Sequence, residues 1–353
     1  MIMYTCLSLR NFKGIVRGKL ELGRVNILLG ANNSGKTTIL EALFLLPNPL
    51  RYVPYSIVDS RGSLRQLRAV EVLNILHKTL SSSGYAFILN NYTAERGEIS
   101  IEIDGDLLKM VLNSPKILDT IDIYYIKGDA RYSIGELKKY SSEIRIERDA
   151  PESIGDTLIK SIGEAVYIHP RILHLLWGFI SHKWSEIINL GLSANILRTL
   201  RDAINVDYSD FTLEPYGVRG QSIYVRMVDG KRIRLGDIGD GFQSILTIML
   251  IYEFVRPVFL LIDDIESHLN PQLATFFARW LHSIAKNESL VIIASTHSIE
   301  TALLLSEVLE DYNLRIILVS IVDGELRTKV LSPKELEEFR KSGIDPRLYG
   351  VIL

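Results

Sequence analysis

The chain has 353 residues, 47% of them hydrophobic and 23% charged, enough for one large α/β domain or two smaller ones with a buried core. Forty basic residues against 42 acidic ones leave a net charge of −2, so no global field draws the protein onto nucleic acid. Cys6 is the single cysteine, which excludes an internal disulfide and a zinc cluster and suits a reducing compartment.

No stretch reaches the ~20 uninterrupted apolar residues that a membrane helix needs. The N-terminus reads as a strand, not as a charged region followed by a cleavage site. The expectation is a cytoplasmic protein with no membrane partner. Local basic groups, Arg10, Lys13, Arg17 and Lys19, then Lys231, Arg232 and Arg234, read as solvated strand faces.

In chain order, residues 3–9 and 17–23 read as two strands around Asn11-Phe12-Lys13-Gly14. The apolar run Val25-Asn26-Ile27-Leu28-Leu29 leads into Gly30-Ala31-Asn32-Asn33-Ser34-Gly35-Lys36-Thr37-Thr38, and a helix is predicted from Lys36 to Leu46. Strand, glycine-bounded loop and helix in that order make a phosphate-binding loop. Its backbone N–H groups and the helix N-terminus form an anion site. Lys36 is placed to reach the outer phosphates and the Thr37 hydroxyl to ligate Mg²⁺. Asn33 stands where many such loops carry glycine, and Asn tolerates a left-handed backbone best among the other residues.

Pro47 and Pro49 end that helix. Residues 61–80 carry apolar positions near a 3.6-residue period and read as a helix. Strands follow at 85–89, 98–103 and 107–112, with Asp104-Gly105 as a hairpin turn, and then at 121–126 and 143–147. A new unit begins at Val166-Tyr167-Ile168-His169-Pro170. Helices are expected over 171–188 and 193–204, and strands at 211–215, 222–227 and 232–235. The division predicted is 1–49 and 166–353 as two parts of one nucleotide-binding head, with 50–165 inserted between them.

Ile238-Gly239-Asp240-Gly241-Phe242-Gln243-Ser244 is a glycine-flanked turn opening a helix to about Phe254. Val258–Ile262 is a continuous apolar strand ending in Asp263-Asp264-Ile265-Glu266, which places carboxylates at the carboxyl end of a central strand beside the phosphate loop. Asp263 is positioned to hold Mg²⁺ through its water shell. The next apolar strand, 290–295, ends in Thr296-His297-Ser298 and puts His297 near the outermost phosphate. A helix over 299–311 and a hairpin over 315–331 around Asp323-Gly324 complete the pattern.

Together these motifs resemble the ABC-type ATPase heads, within them the group related to RecF, SMC and OLD proteins. The opening Leu9-Arg10-Asn11-Phe12-Lys13-Gly14, the turn Gly239-Asp240-Gly241-Phe242-Gln243 and the stretch Asp263 to Pro271 carry that resemblance. It implies a P-loop NTPase α/β fold: a mostly parallel core sheet flanked by helices, an N-terminal antiparallel β-subdomain and a mixed α/β insertion. It implies ATP and Mg²⁺ as cofactors, bound by Gly30, Asn33, Ser34, Gly35, Lys36, Thr37 and Thr38, with Thr37 and Asp263 on the metal. It also implies a homodimer around two ATP, in which Gly239, Asp240, Gly241 and Gln243 face the nucleotide of the other protomer.

Asp264, Glu266 and His297 are the implied catalytic residues. The group usually carries Glu directly after the metal Asp. This chain has Asp264 there and Glu266 two residues on, so the base is open between them and hydrolysis is expected to be slow. Gln66 and Arg171 are the candidates for a residue reporting from the metal to the insertion. OLD proteins add a C-terminal nuclease module that finds no room after His297, so a separate nuclease or effector partner is expected, with DNA as a candidate ligand. The expected function is an ATPase motor or switch in DNA maintenance or anti-invader defence. The alternatives are an ATP-dependent scaffold with vestigial hydrolysis and, less favoured, a transporter ATPase.

Overall fold

The computed structural model describes residues 5–343 except 60–61, 148–163, 205–207 and 218–219, together with 345 and 347. The predicted strand start at residues 3–4 and the last residues of the tail lie outside that set.

Strands β1 (Thr5–Phe12) and β2 (Ile15–Leu22) form an antiparallel hairpin closed by Lys13 and Gly14. β3 (Val25–Leu29) is buried throughout, as a strand covered on both faces must be. Helix α1 (Lys36–Leu45) follows it across the loop.

The next segment departs from the sequence reading. β4 (Tyr52–Val58) and β5 (Leu64–Arg68) pair as a two-stranded sheet, and only Ala69–His77 is helical (α2). The helical period over 61–80 is therefore a strand followed by a short helix. Leu67 is buried but Leu64 points outward, so the three-residue spacing of this pair is not a helix face. The expected strand at 85–89 is instead two short 3-10 turns, Ala86–Ile88 and Asn90–Tyr92. These are tied to the β1–β2 turn by Asn90 Nδ2 donating to Lys13 O at 2.7 Å.

Strands β6 (Arg96–Ile103), β7 (Asp106–Asn113), β8 (Thr120–Lys127), β9 (Ala130–Lys138) and β10 (Ile144–Ile146) form an antiparallel meander. β6 pairs with β1, so these strands extend the main sheet. β9 was not expected from the sequence.

β11 (Ala165–Ile168) opens the C-terminal part. A 3-10 segment, Pro170–Leu175, and the short helices α3 (Leu176–His182) and α4 (Trp184–Asn189) stand in place of the helix expected over 171–188, while α5 (Leu192–Ile204) matches the helix expected over 193–204. β12 (Tyr208–Tyr216), β13 (Gly220–Met227) and β14 (Arg232–Arg234) form a separate small sheet. Then come α6 (Asp240–Val255), β15 (Phe259–Ile262), α7 (Pro271–Ile284), β16 (Val291–Thr296), α8 (Ile299–Leu309), β17 (Leu314–Val322), β18 (Glu325–Leu331) and α9 (Pro333–Ser342).

Among the described residues the main sheet has 13 strands in the order β10-β9-β8-β7-β6-β1-β2-β18-β17-β3-β16-β15-β11. The run from β17 to β11 is parallel. α1 packs on β11 and β15, and α8 on β3, β16 and β17. β3, β15 and β16 thus stand adjacent, and the segments leaving their carboxyl ends meet in one place, where open α/β sheets bind ligands. No described helix is long and apolar enough to cross a membrane.

Candidate functional site

The loop after β3 is shaped by backbone crowding. A Cβ on Gly30 would lie 2.5 Å from Ser34 Oγ and 2.6 Å from Val319 O, so no larger residue fits the start of the turn. Asn33 takes φ 62° and Gly35 φ 99°, which wind the loop into α1. Asn33 supplies the left-handed conformation that its residue type tolerates. No acidic residue sits in the first turn of α1 and no side chain caps it. Its N–H groups and positive dipole end are left for an anion. Thr37 and Thr38 occupy that first turn half-buried.

Lys36 is buried, and its Nζ donates to Gly30 O and Ala31 O, both at 2.9 Å, and to Ser34 Oγ at 3.4 Å. Burial pushes this ammonium down to about 8, against the field of Asp264, Asp263 and Glu266. Lys36 Nζ also lies 3.4 Å from His297 Nδ1. The other ring nitrogen, Nε2, faces Asp264 Oδ1 at 3.2 Å. Lys36, His297 and Asp264 therefore form one continuous chain of contacts.

The three acidic residues have separate environments. Asp263 is buried at the end of β15, where Tyr167 Oη donates to Oδ2 at 2.9 Å and Ser295 Oγ donates to Oδ1. His169 Nε2 stands 4.0 Å from Oδ2, and burial chiefly holds this imidazole below its ordinary value. Asp264, at φ 47°, is half-exposed, and burial, then the charge of Asp263, raises its carboxyl above the usual range. Glu266 turns inward, its Oε1 accepting from His297 N at 2.7 Å while Oε2 is buried without a partner.

This set fits Mg²⁺ in the manner of nucleotide sites. Among the described residues no group of three His, Cys, Asp or Glu could cage a metal. Mg²⁺ in such sites keeps waters and is held by one or two protein oxygens plus phosphates. Thr37 and Asp263 would hold it, and the buried Glu266 Oε2, unpartnered among the described residues, is an acceptor for a ligand or its water.

The second glycine turn lies elsewhere. Gly239 and Asp240 are exposed at the start of α6, no side chain caps this helix, and nothing lies within 4 Å of a Cβ placed on Gly239. Gly241 is buried, and a Cβ there would meet His268 O at 2.4 Å, so glycine lets α6 pack on the segment following Glu266. Gln243 spends its amide on Ile238 O at 2.6 Å. Among the described residues no hydrogen bond or ion pair joins this turn to Gly30–Thr38. Gln66 likewise donates to Val53 O at 2.9 Å within the two-stranded sheet, and Arg171 is exposed just beyond β11.

Sequence reasoning missed Tyr167, Ser295 and His169 as partners of Asp263. A signal existed: polar residues inside otherwise apolar runs, on the two strands flanking the carboxylate strand, must find a buried partner. It also missed Glu41, fully buried in α1 between Lys13 Nζ and His77 Nε2.

The family described as "AAA domain, putative AbiEii toxin, Type IV TA system" matches residues 25–303. Endonuclease GajA from Bacillus cereus (strain VD045) is 23% identical over 175 residues, 48% of this chain and 27% of that protein. The match thus spans well under half of GajA. An Smc head bound to the C-terminal winged-helix domain of ScpA superposes with TM-score 0.58 at 14% identity, covering 95% of this chain and 99% of that one. An Smc head with an extended coiled coil from Pyrococcus furiosus, bound to the C-terminal domain of ScpA, gives 0.57 at 14% identity over 97% and 99%. An Smc head with coiled coil and joint from Pyrococcus yayanosii gives 0.53 at 12% identity over 97% and 100%. At such identities the likeness is one of fold, the P-loop NTPase fold of these heads.

Proposed function

This chain belongs to that AAA-domain family, and from this premise we propose that it binds ATP with Mg²⁺ and hydrolyses it slowly as one half of a two-ATP homodimer. The observation that carries the reading is the contact chain from Lys36 through His297 to Asp264 at the mouth of the phosphate loop.

Lys36 would exchange its loop carbonyls for phosphate oxygens, leaving the backbone N–H groups of Gly35 to Thr38 to cradle the anion. Thr37 and Asp263 would hold Mg²⁺, which would supply Lewis-acid charge there. Tyr167 and Ser295 fix the carboxylate of Asp263, which would hold the metal through its water shell. His297, with Nδ1 freed from Lys36, would sense the outermost phosphate.

Asp264 is the better base. Its raised carboxyl is exposed enough to meet water, and proton abstraction works best when the base's pKa moves toward the working pH. Glu266 is occupied in holding the His297 backbone. Asp is one methylene shorter than Glu, and about 1 Å of misplacement can cost on the order of a hundredfold in rate, which is the reason to expect slow turnover.

The open helix start at Gly239 and Asp240, joined to the chain's own loop by no hydrogen bond or ion pair among the described residues, supports its use on the nucleotide of a second copy. The family description and the endonuclease relative support anti-invader defence as the setting, with DNA and a nuclease or effector as partners. The test is ATP binding and phosphate release by the wild type and Lys36→Ala. Both should be lost in the variant, and a wild type that binds no ATP overturns the proposal.

A further inference from the structure

Arg347, beyond α9, reaches back to the nucleotide site. Its Nη1 donates to His297 O. Its Nε and Nη2 are held by Asp345 Oδ1 and Oδ2 at 2.7 and 2.6 Å, a bidentate fork that fixes the guanidinium plane. His297 precedes Ser298, the N-cap of α8, and a cation at a helix N-terminus opposes the helix dipole. The Arg347 charge also reaches Lys36, adding to the effects that depress it. Two cations thus converge on one histidine, Lys36 at the ring and Arg347 at the carbonyl. Asp345, with Glu300 nearby, offsets the second.

We propose that Arg347 is a positioning residue for the switch histidine, which it reaches from the C-terminal segment. By holding the His297 carbonyl it keeps the ring between Lys36 and Asp264, and it links occupancy of the outermost phosphate to the chain after α9. The inference rests on the ATP-binding reading above. A tie with a structural role alone would affect ATP and ADP alike. A tie that positions the phosphate sensor affects ATP selectively, because ADP lacks the group that His297 meets.

The experiment measures the affinities of the full chain for ATP and ADP, with Mg²⁺, in the wild type, Arg347→Ala and Arg347→Lys. Loss of one charge-assisted contact predicts that Arg347→Ala weakens ATP about tenfold and leaves ADP within about twofold. Arg347→Lys keeps a donor for the carbonyl but loses the fork to Asp345, so it should fall between. If Arg347→Ala binds ATP and ADP with the wild-type ratio, the proposal is overturned. A wild type that binds neither nucleotide overturns the ATP reading instead, so the two failures are distinguishable. Should the alanine variant melt below the assay temperature, Arg347→Lys carries the test, and a wild-type ratio in it is the contradicting result.

Discussion

Asp264 Oδ1 lies 3.2 Å from His297 Nε2, on the opposite side of the imidazole from Lys36 Nζ. The ring stands between a cation and an anion. Glu266 fixes the same residue through the backbone N–H. Two carboxylates therefore serve one histidine in different ways, and they should separate under mutation.

Asp264→Asn removes the proposed base and should lower phosphate release by about a hundredfold or more, with ATP affinity within a few-fold of wild type. Glu266→Gln keeps an oxygen for His297 N–H and should cost less than about tenfold. Steady-state phosphate release checks both. If Glu266→Gln alone abolishes turnover, the assignment of the base is wrong.

Lys36 titrates near 8 because of burial, and a bound polyphosphate favours its charged form. ATP binding must therefore raise this pKa and take up a proton where the free lysine is neutral. The affinity is at its full value below about pH 8 and falls up to about tenfold per pH unit above it. Calorimetry in two buffers of different ionisation enthalpy should show proton uptake above that pH. Binding with no proton uptake there contradicts the account.

Tyr167→Phe keeps the ring in the core but removes the donor to Asp263 Oδ2. Stability should drop by only about 1 kcal/mol, whereas the Mg²⁺ needed to support ATP binding should rise about tenfold or more, as for other lost partners of metal-holding groups. A Mg²⁺ titration of nucleotide binding, read beside a thermal melt, distinguishes the two effects. An unchanged Mg²⁺ requirement removes Tyr167 from the site.

Burial pushes the Glu41 carboxyl up, and Lys13 and His77 more than offset this, so it sits below the ordinary carboxylate value. Its contribution to stability is present above the unfolded value of about 4.3 and is lost as pH falls through the depressed one. Lys13→Met leaves the carboxylate buried with His77 alone and should cost about 3 kcal/mol. Lys13→Met with Glu41→Gln should recover part of that. Urea midpoints measure both, and a double variant no more stable than Lys13→Met contradicts the pairing.

Much of this site is written in local sequence. Val25–Leu29, Phe259–Ile262 and Val291–Thr296 are continuous apolar runs because the strands are covered on both faces, and each is followed by its chemistry within a few residues. The segment 61–68 was misread because Leu64 and Leu67 imitate helical spacing, while their strand character comes from pairing with β4. Residues 85–89 are apolar because they are buried against the β1–β2 turn, not because they alternate. The partners of Asp263 required knowing which strands are neighbours. Arg347 carries no local signal, because its role arises from a contact made 50 residues from His297 in sequence.

The central claim is that the Gly30–Thr38 loop is half of a site completed by the Gly239–Gln243 turn of a second copy. Its most direct test is the mass in solution of Asp264→Asn with and without ATP and Mg²⁺, since slowed turnover would hold the assembled state. The account predicts that the mass doubles with ATP, and that adding Gly239→Trp, which fills the open helix start, prevents it. A mass that ignores ATP in Asp264→Asn, or a dimer that forms equally well with Gly239→Trp, contradicts it.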